Sequence, residues 1–125
     1  MSDDIKPSKV ALNEALTLSE EILRNIELSE LPLVNISLKS SRLARLLNDF
    51  PYQRIMQYEA SGYPSTPAGV PPEIYQLAVL SGREYQIKDE NSSEIKNYIY
   101  TMSIEELEQE VKTLEIALSV ARDPD

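Results

Sequence analysis

Leu43–Pro64 reads LARLLNDFPYQRIMQYEASGYP, and the fold is organised around it. Asn48-Asp49-Phe50-Pro51 stops one helix and starts another. Asp49 can accept from the free amides of the new N-terminus, and Pro51 suits a first turn whose amide needs no partner. The new helix carries Ile55, Met56, Tyr58 and Glu59 and should run to about Ala60. Gly62 then stands where a left-handed residue closes a helix, and Pro64 forbids continuation. The stretch also holds Phe50, Tyr52, Tyr58 and Tyr63, four of the chain's eight aromatics (seven Tyr and one Phe).

Upstream, Ser8 precedes an apolar pattern at Leu12, Leu16, Ile22, Leu23 and Ile26, with Ala15 and Ser19 filling the stripe. Spacings of three and four predict a helix with one buried face. Met1–Pro7 is read as a disordered lead, and residues 8–125 as one helical domain. Pro32 breaks the chain and opens a second helix, from about Leu33 to Asn48, with Ile36, Leu43, Leu46 and Leu47 facing inward and Ala44 permitting close approach.

Downstream, STPAGVPP (Ser65–Pro72) is a rigid loop. PEIYQLAVLSGREYQIKD predicts a further helix from Pro71 or Pro72, burying Ile74, Leu77, Ala78 and Tyr85. Val79-Leu80 leaves a strand as the alternative, and Gly82 weakens the helix. Glu94–Thr101 is a short helix or an extended link. The last helix is the plainest. Ser103 and Glu106 form a capping box. Ile104, Leu107, Val111, Leu114, Leu118 and Ala121 follow at coiled-coil spacing. That seam is either the core side of a bundle or a surface shared with another chain. The expected fold is all-α: a compact bundle of about five helices with a long C-terminal one.

Composition narrows the function. The 125 residues include no Cys and no His. Disulfides, thiol nucleophiles and every Ser-His or Cys-His arrangement are therefore excluded, as is the commonest metal ligand. No metal site or cofactor is expected. The net charge of −9 repels phosphate at long range, so general nucleic-acid binding is disfavoured. No apolar run nears the roughly 20 residues that cross a bilayer. The polar, acidic N-terminus is no signal peptide. These features suggest a soluble, cytoplasmic protein.

Charge is segregated along the chain. Ser37–Tyr58 holds Lys39, Arg42, Arg45 and Arg54 against Asp49, a balance of +3, so the remainder carries −12. The strip either neutralises neighbouring acidic helices or docks an acidic partner, a nucleotide phosphate or a nucleic-acid backbone, the last a weak signal without interleaved aromatics. No Gly-rich phosphate loop or EF-hand spacing occurs. Adjacent carboxylates such as Glu20–Glu21 and Glu105–Glu106 diverge on a helix and make poor acid–base pairs. Tyr58, Glu59 and Tyr63 are the one site-like grouping, and a structural lock is the simpler reading: a buried Glu accepting from a tyrosine hydroxyl or a helix end.

The order Glu59-Ala60-Ser61-Gly62-Tyr63 followed by Pro71-Pro72 resembles the AbiTii domain, a family named for abortive infection and found with prokaryotic anti-phage systems. There an early helical hairpin leads to a helix ending in an acidic residue, a short spacer and Gly-Tyr, then a proline-containing segment. The resemblance covers roughly Ser8–Gly82, with Tyr58, Glu59, Gly62 and Tyr63 as its signature. After the Gly-Tyr turn other members read as a strand with an arginine-bearing aromatic pair, whereas this chain places Tyr75-Gln76 in a helix-like setting. The resemblance implies a defence role. The expected function is a non-enzymatic interaction or adaptor module, which self-associates or docks an effector or sensor through Lys39, Arg42, Arg45, Arg54 and the seam of Leu107, Val111, Leu114 and Leu118. Two alternatives stand beside it. One is a toxin-like effector on RNA using Tyr58, Glu59 and Arg42, Arg45 or Arg54. The other is a nucleotide-sensing domain.

Overall fold

A computed structural model describes residues 6–122. Most of the expected lead and the tail after Arg122 lie outside the described residues. The elements, in order, are α1 (Lys9–Glu27), α2 (Leu33–Leu46), α3 (Phe50–Ser61), α4 (Pro72–Leu80), β1 (Glu84–Lys88), β2 (Ile95–Ile99) and α5 (Ile104–Arg122). The architecture is mostly helical but not all-α, because β1 and β2 form an antiparallel hairpin.

Local chemistry sets the helix ends. Ser8 Oγ accepts from the Ala11 amide at 3.1 Å, and Asp49 Oδ1 accepts from Tyr52 at 3.3 Å. At the end of α3, Gly62 has φ +96° and ψ 153°. That is positive φ as expected, but with extended rather than helical ψ, a combination essentially reserved for glycine. The capping box of α5 is formed: the Glu106 amide donates to Ser103 Oγ at 3.2 Å, and Glu106 Oε1 accepts from the Ser103 amide at 3.4 Å.

The helix expected to run on from Pro72 stops at Leu80. Gly82, at φ +81°, ends it as a left-handed residue, and the chain emerges extended. Tyr85 then pairs with Tyr98 across the hairpin and stacks on both Tyr98 and Tyr100, with centroids 5.7 and 4.2 Å apart. These tyrosines favour a pleated, half-buried surface over a helix. Asp89 closes the turn, with Oδ1 and Oδ2 accepting from the Asn91 amide and the Ser92 hydroxyl.

The core lies between α1, α2 and α3. Leu18, Ile22 and Ile36 are buried together, with Leu31, Leu43 and Leu46 packed on them. The buried face of α1 shares Ala15 and Ile22 with the expected stripe but is rotated from it. Ala15, Leu18, Ile22 and Asn25 are buried, while Leu12, Leu16, Leu23 and Ile26 stay exposed. Both stripes obey helical spacing and lie side by side around the axis, and α2 covers only one of them. Small residues let α2 meet α3 closely. Ser37, Ser41 and Ala44 are buried there, and the two hydroxyls donate to the carbonyls of Met56 (2.7 Å) and Gln53 (3.2 Å). Ile55 of α3 is 1% exposed and sits at the centre of that packing.

Candidate functional site

Two features stand out, a buried polar node and an uncovered helix. The node is built on Glu59, in the last turn of α3. Its Oε2 accepts from Arg83 Nε and from the Tyr63 hydroxyl, each at 2.8 Å. The same hydroxyl lies 2.8 Å from Ser81 Oγ, at the end of α4. Arg83 is 6% exposed, and its Nη1 donates to the carbonyls of Tyr100 (3.3 Å) and Met102 (2.6 Å). Its guanidinium carbon lies 5.3 Å from the centroid of the Tyr63 ring, and Tyr58 packs on that ring at 5.5 Å. One guanidinium thus ties α3 to the segment that leaves β2 and enters α5. Backbone bonds run in parallel: Tyr63 donates to the Thr101 carbonyl at 2.9 Å, and Tyr100 to that of Arg83 at 3.0 Å. Arg83 Nη2 is buried with no hydrogen-bond partner among the described residues.

Burial pushes the Tyr63 hydroxyl up to about 12, reinforced by its hydrogen bond to Glu59 and that residue's charge, while Ser81 and Arg83 oppose the shift. Tyr63 therefore stays a hydroxyl donor to a higher pH than an ordinary tyrosine.

Glu59 and Ser81 also edge a groove of about 420 Å³. Its walls are Leu33, Ile36, Tyr52, Ile55, Met56, Leu80 and Ile104, with Ser37 and Ser40. No arginine lines it. The basic residues singled out from the sequence are dispersed instead. Lys39 Nζ binds Glu21 at 3.1 Å and Asn25 Oδ1 at 2.6 Å, fastening α2 to α1. Arg54 Nη2 donates to the Tyr58 hydroxyl at 3.2 Å. Arg42 and Arg45 are exposed and make no ion pair among the described residues.

The uncovered helix is α5. Ile104, Leu107 and Glu108 are half-buried, and Glu108 Oε1 accepts from the Leu33 amide at 3.2 Å, capping the N-terminus of α2. From Gln109 to Arg122 every residue is exposed. Val111, Leu114 and Leu118 therefore carry their seam into open space, with exposures of 53%, 64% and 53%. Leu107 lies apart from these three, against the body of the domain.

The sequence reading missed Arg83 and Ser81. A signal was present in Gly82-Arg83-Glu84-Tyr85, where a helix stop is followed by alternation of period two. A second was Glu59 itself, since a carboxylate expected to be buried requires a cation.

The fold and the node define a small, mostly helical domain whose last helix is anchored at its root and free along its length. Residues 17–121 match the AbiTii family model, and the chain belongs to that family. The match reaches well past Gly82, taking in the hairpin and α5. Membership suggests a domain of anti-phage defence. No curated protein and no solved structure matches the chain. Among the described residues no helix is long and apolar enough to cross a membrane.

Proposed function

We propose that the chain is a non-enzymatic docking module of an anti-phage system, and that the free length of α5 is its contact surface. The observation that carries this is the exposure of every residue from Gln109 to Arg122 along an otherwise regular amphipathic helix. A solitary helix of fewer than about 12–15 residues is marginal in water, because propagation barely offsets nucleation. A seam of Val111, Leu114 and Leu118 gains stability only when another surface covers it. Glu110 and Glu115 flank that apolar centre and supply a charged rim, the arrangement of a protein–protein contact.

The node supports the same reading. Its carboxylate is held by a guanidinium and a tyrosine, and its tyrosine is kept protonated. Such groups, drawn from different elements onto one carboxylate oxygen, fix helices against the hairpin.

The test is a phage challenge of a host carrying the intact defence system. Leu114→Glu/Leu118→Glu should abolish protection while the purified variant keeps its helicity and melting temperature, since both side chains already face solvent. Undiminished protection would remove α5 as the contact surface. Cleavage of RNA by the wild-type protein, lost in Glu59→Gln, would replace the docking reading with an effector one.

A further inference from the structure

A groove between α1 and α2 offers a seat for the free length of α5. Two hollows of about 620 and 360 Å³ adjoin there, sharing Glu14, Arg42 and Leu46. Leu18 and Leu46 provide an apolar floor, and Lys6, Arg42 and Arg45 stand at the rim. Glu21 also borders the groove but is neutralised by Lys39. Among the described residues the rim's uncommitted charge is therefore three cations against Glu14, in a chain of net −9.

We propose, resting on the docking reading above, that the occupant of this groove is α5 of a second copy of the chain. Val111, Leu114 and Leu118 would lie over Leu46, and Glu110 and Glu115, which flank that seam, would meet Arg42 and Arg45. Charge decides between this seat and the competing ones. In a parallel α5–α5 pair, heptad positions g and e would set Glu110 against Glu115 of the partner helix, like against like. The exposed stripe of α1 (Leu12, Leu16, Leu23 and Ile26) is apolar enough, but Glu20 and Glu27 border it. Arg42 and Arg45 supply the opposite sign, as guanidinium forks that suit carboxylates. Because groove and helix are different surfaces, the contact is heterologous. It leaves one free groove and one free helix at the ends of every assembly, so association is open-ended.

The experiment is multi-angle light scattering from micromolar to millimolar concentration, on wild type, Arg42→Glu/Arg45→Glu and Leu114→Glu/Leu118→Glu. All four positions are exposed, and matching circular dichroism and melting curves establish that the variants fold. Wild type should grow past a dimer with concentration, and high salt should weaken its association by about tenfold or more. Each variant alone should remain monomeric. Mixed in equal amounts, they should form a heterodimer that grows no further, because the groove variant keeps its helix and the helix variant keeps its groove. A groove variant that dimerises alone, or two variants that fail to combine, would overturn the proposal. So would a wild type that stays monomeric throughout. If that monomer still loses phage protection on Leu114→Glu/Leu118→Glu, the docking reading stands with a different partner and only the self-contact falls.

Discussion

Replacing Arg83 by Met keeps an unbranched apolar stem and deletes the guanidinium. Three bonds disappear: Nε to Glu59 at 2.8 Å, and Nη1 to the Tyr100 and Met102 carbonyls. The carboxylate of Glu59, with its side chain 19% exposed, is left holding only the Tyr63 hydroxyl. Removing one partner of a buried pair costs about 3–5 kcal/mol. Glu59 retains one donor and some access to water, which moves the cost to the lower end, while the two released carbonyls add to it. The expected loss is therefore about 3–4 kcal/mol, a large part of the roughly 5–15 kcal/mol available to a domain. The melting temperature should fall by roughly 10–15 °C. Urea unfolding followed by far-ultraviolet circular dichroism measures it. Arg83→Met/Glu59→Gln should be more stable than Arg83→Met alone, since a neutral amide no longer leaves a charge stranded, with a coupling of about 2 kcal/mol. A single variant within about 1 kcal/mol of wild type, or strict additivity of the pair, would refute the clamp. A reactive site would divide the effects the other way, with stability kept and an activity lost.

Gly62→Ala should cost about 2–3 kcal/mol in the same titration, because φ +96° with extended ψ is closed to side chains and the added Cβ would stand 3.2 Å from the Thr101 carbonyl oxygen; a variant as stable as wild type would show that the link into α5 gives way freely. Raising the pH should destabilise the fold as Tyr63 begins to ionise. Burial pushes its folded value up to about 12, above the ordinary tyrosine value of about 10, so the folded state keeps the proton longer. The stabilisation is full below 10 and is lost between 10 and 12, on the order of 2 kcal/mol, and Tyr63→Phe should flatten that part of the profile.

What could be read in advance follows from how far each signal reaches along the chain. The start of α3 and the first turn of α5 were legible because Asp49, Ser103 and Glu106 act within three residues of their own position. The end of α3 was legible at Gly62, although its ψ was not. The hairpin is harder to read: Glu84-Tyr85-Gln86-Ile87-Lys88 alternates polar and apolar over only five residues, directly after a helical stretch, and in the fold only Tyr85 of the strand is half-buried. Gly82 reads locally as a weakness inside a helix, but at φ +81° it is the residue that ends one. The face of α1 could not be chosen from its own sequence, since two neighbouring stripes satisfy the same period and the decision belongs to α2. Arg83 is the extreme case. It lies 24 residues from Glu59, and nothing local distinguishes a buried arginine from a solvated one.

The node and the free helix are mechanically connected. Arg83 holds Tyr100 and Met102, Tyr63 holds Thr101, and Ser103 begins the cap of α5, so each residue from Tyr100 to Ser103 is fastened by a bond to a different part of the domain or to the helix itself. Gly62 allows the close approach, its missing side chain facing the Thr101 carbonyl and the Ser103 amide. Glu108 then makes the last anchor, at the N-terminus of α2. A helix fixed over its first turn and a half leaves the domain in one direction, and its exposed seam is presented without the entropy of a swinging arm. Loosening the clamp should therefore weaken any contact made by Val111, Leu114 and Leu118 even though the node touches none of them. If α5 is the docking face proposed above, Glu59, Gly62, Tyr63 and Arg83 would serve it by aiming it, since their buried polar bonds sit at the root of a helix that is exposed from Gln109 to Arg122.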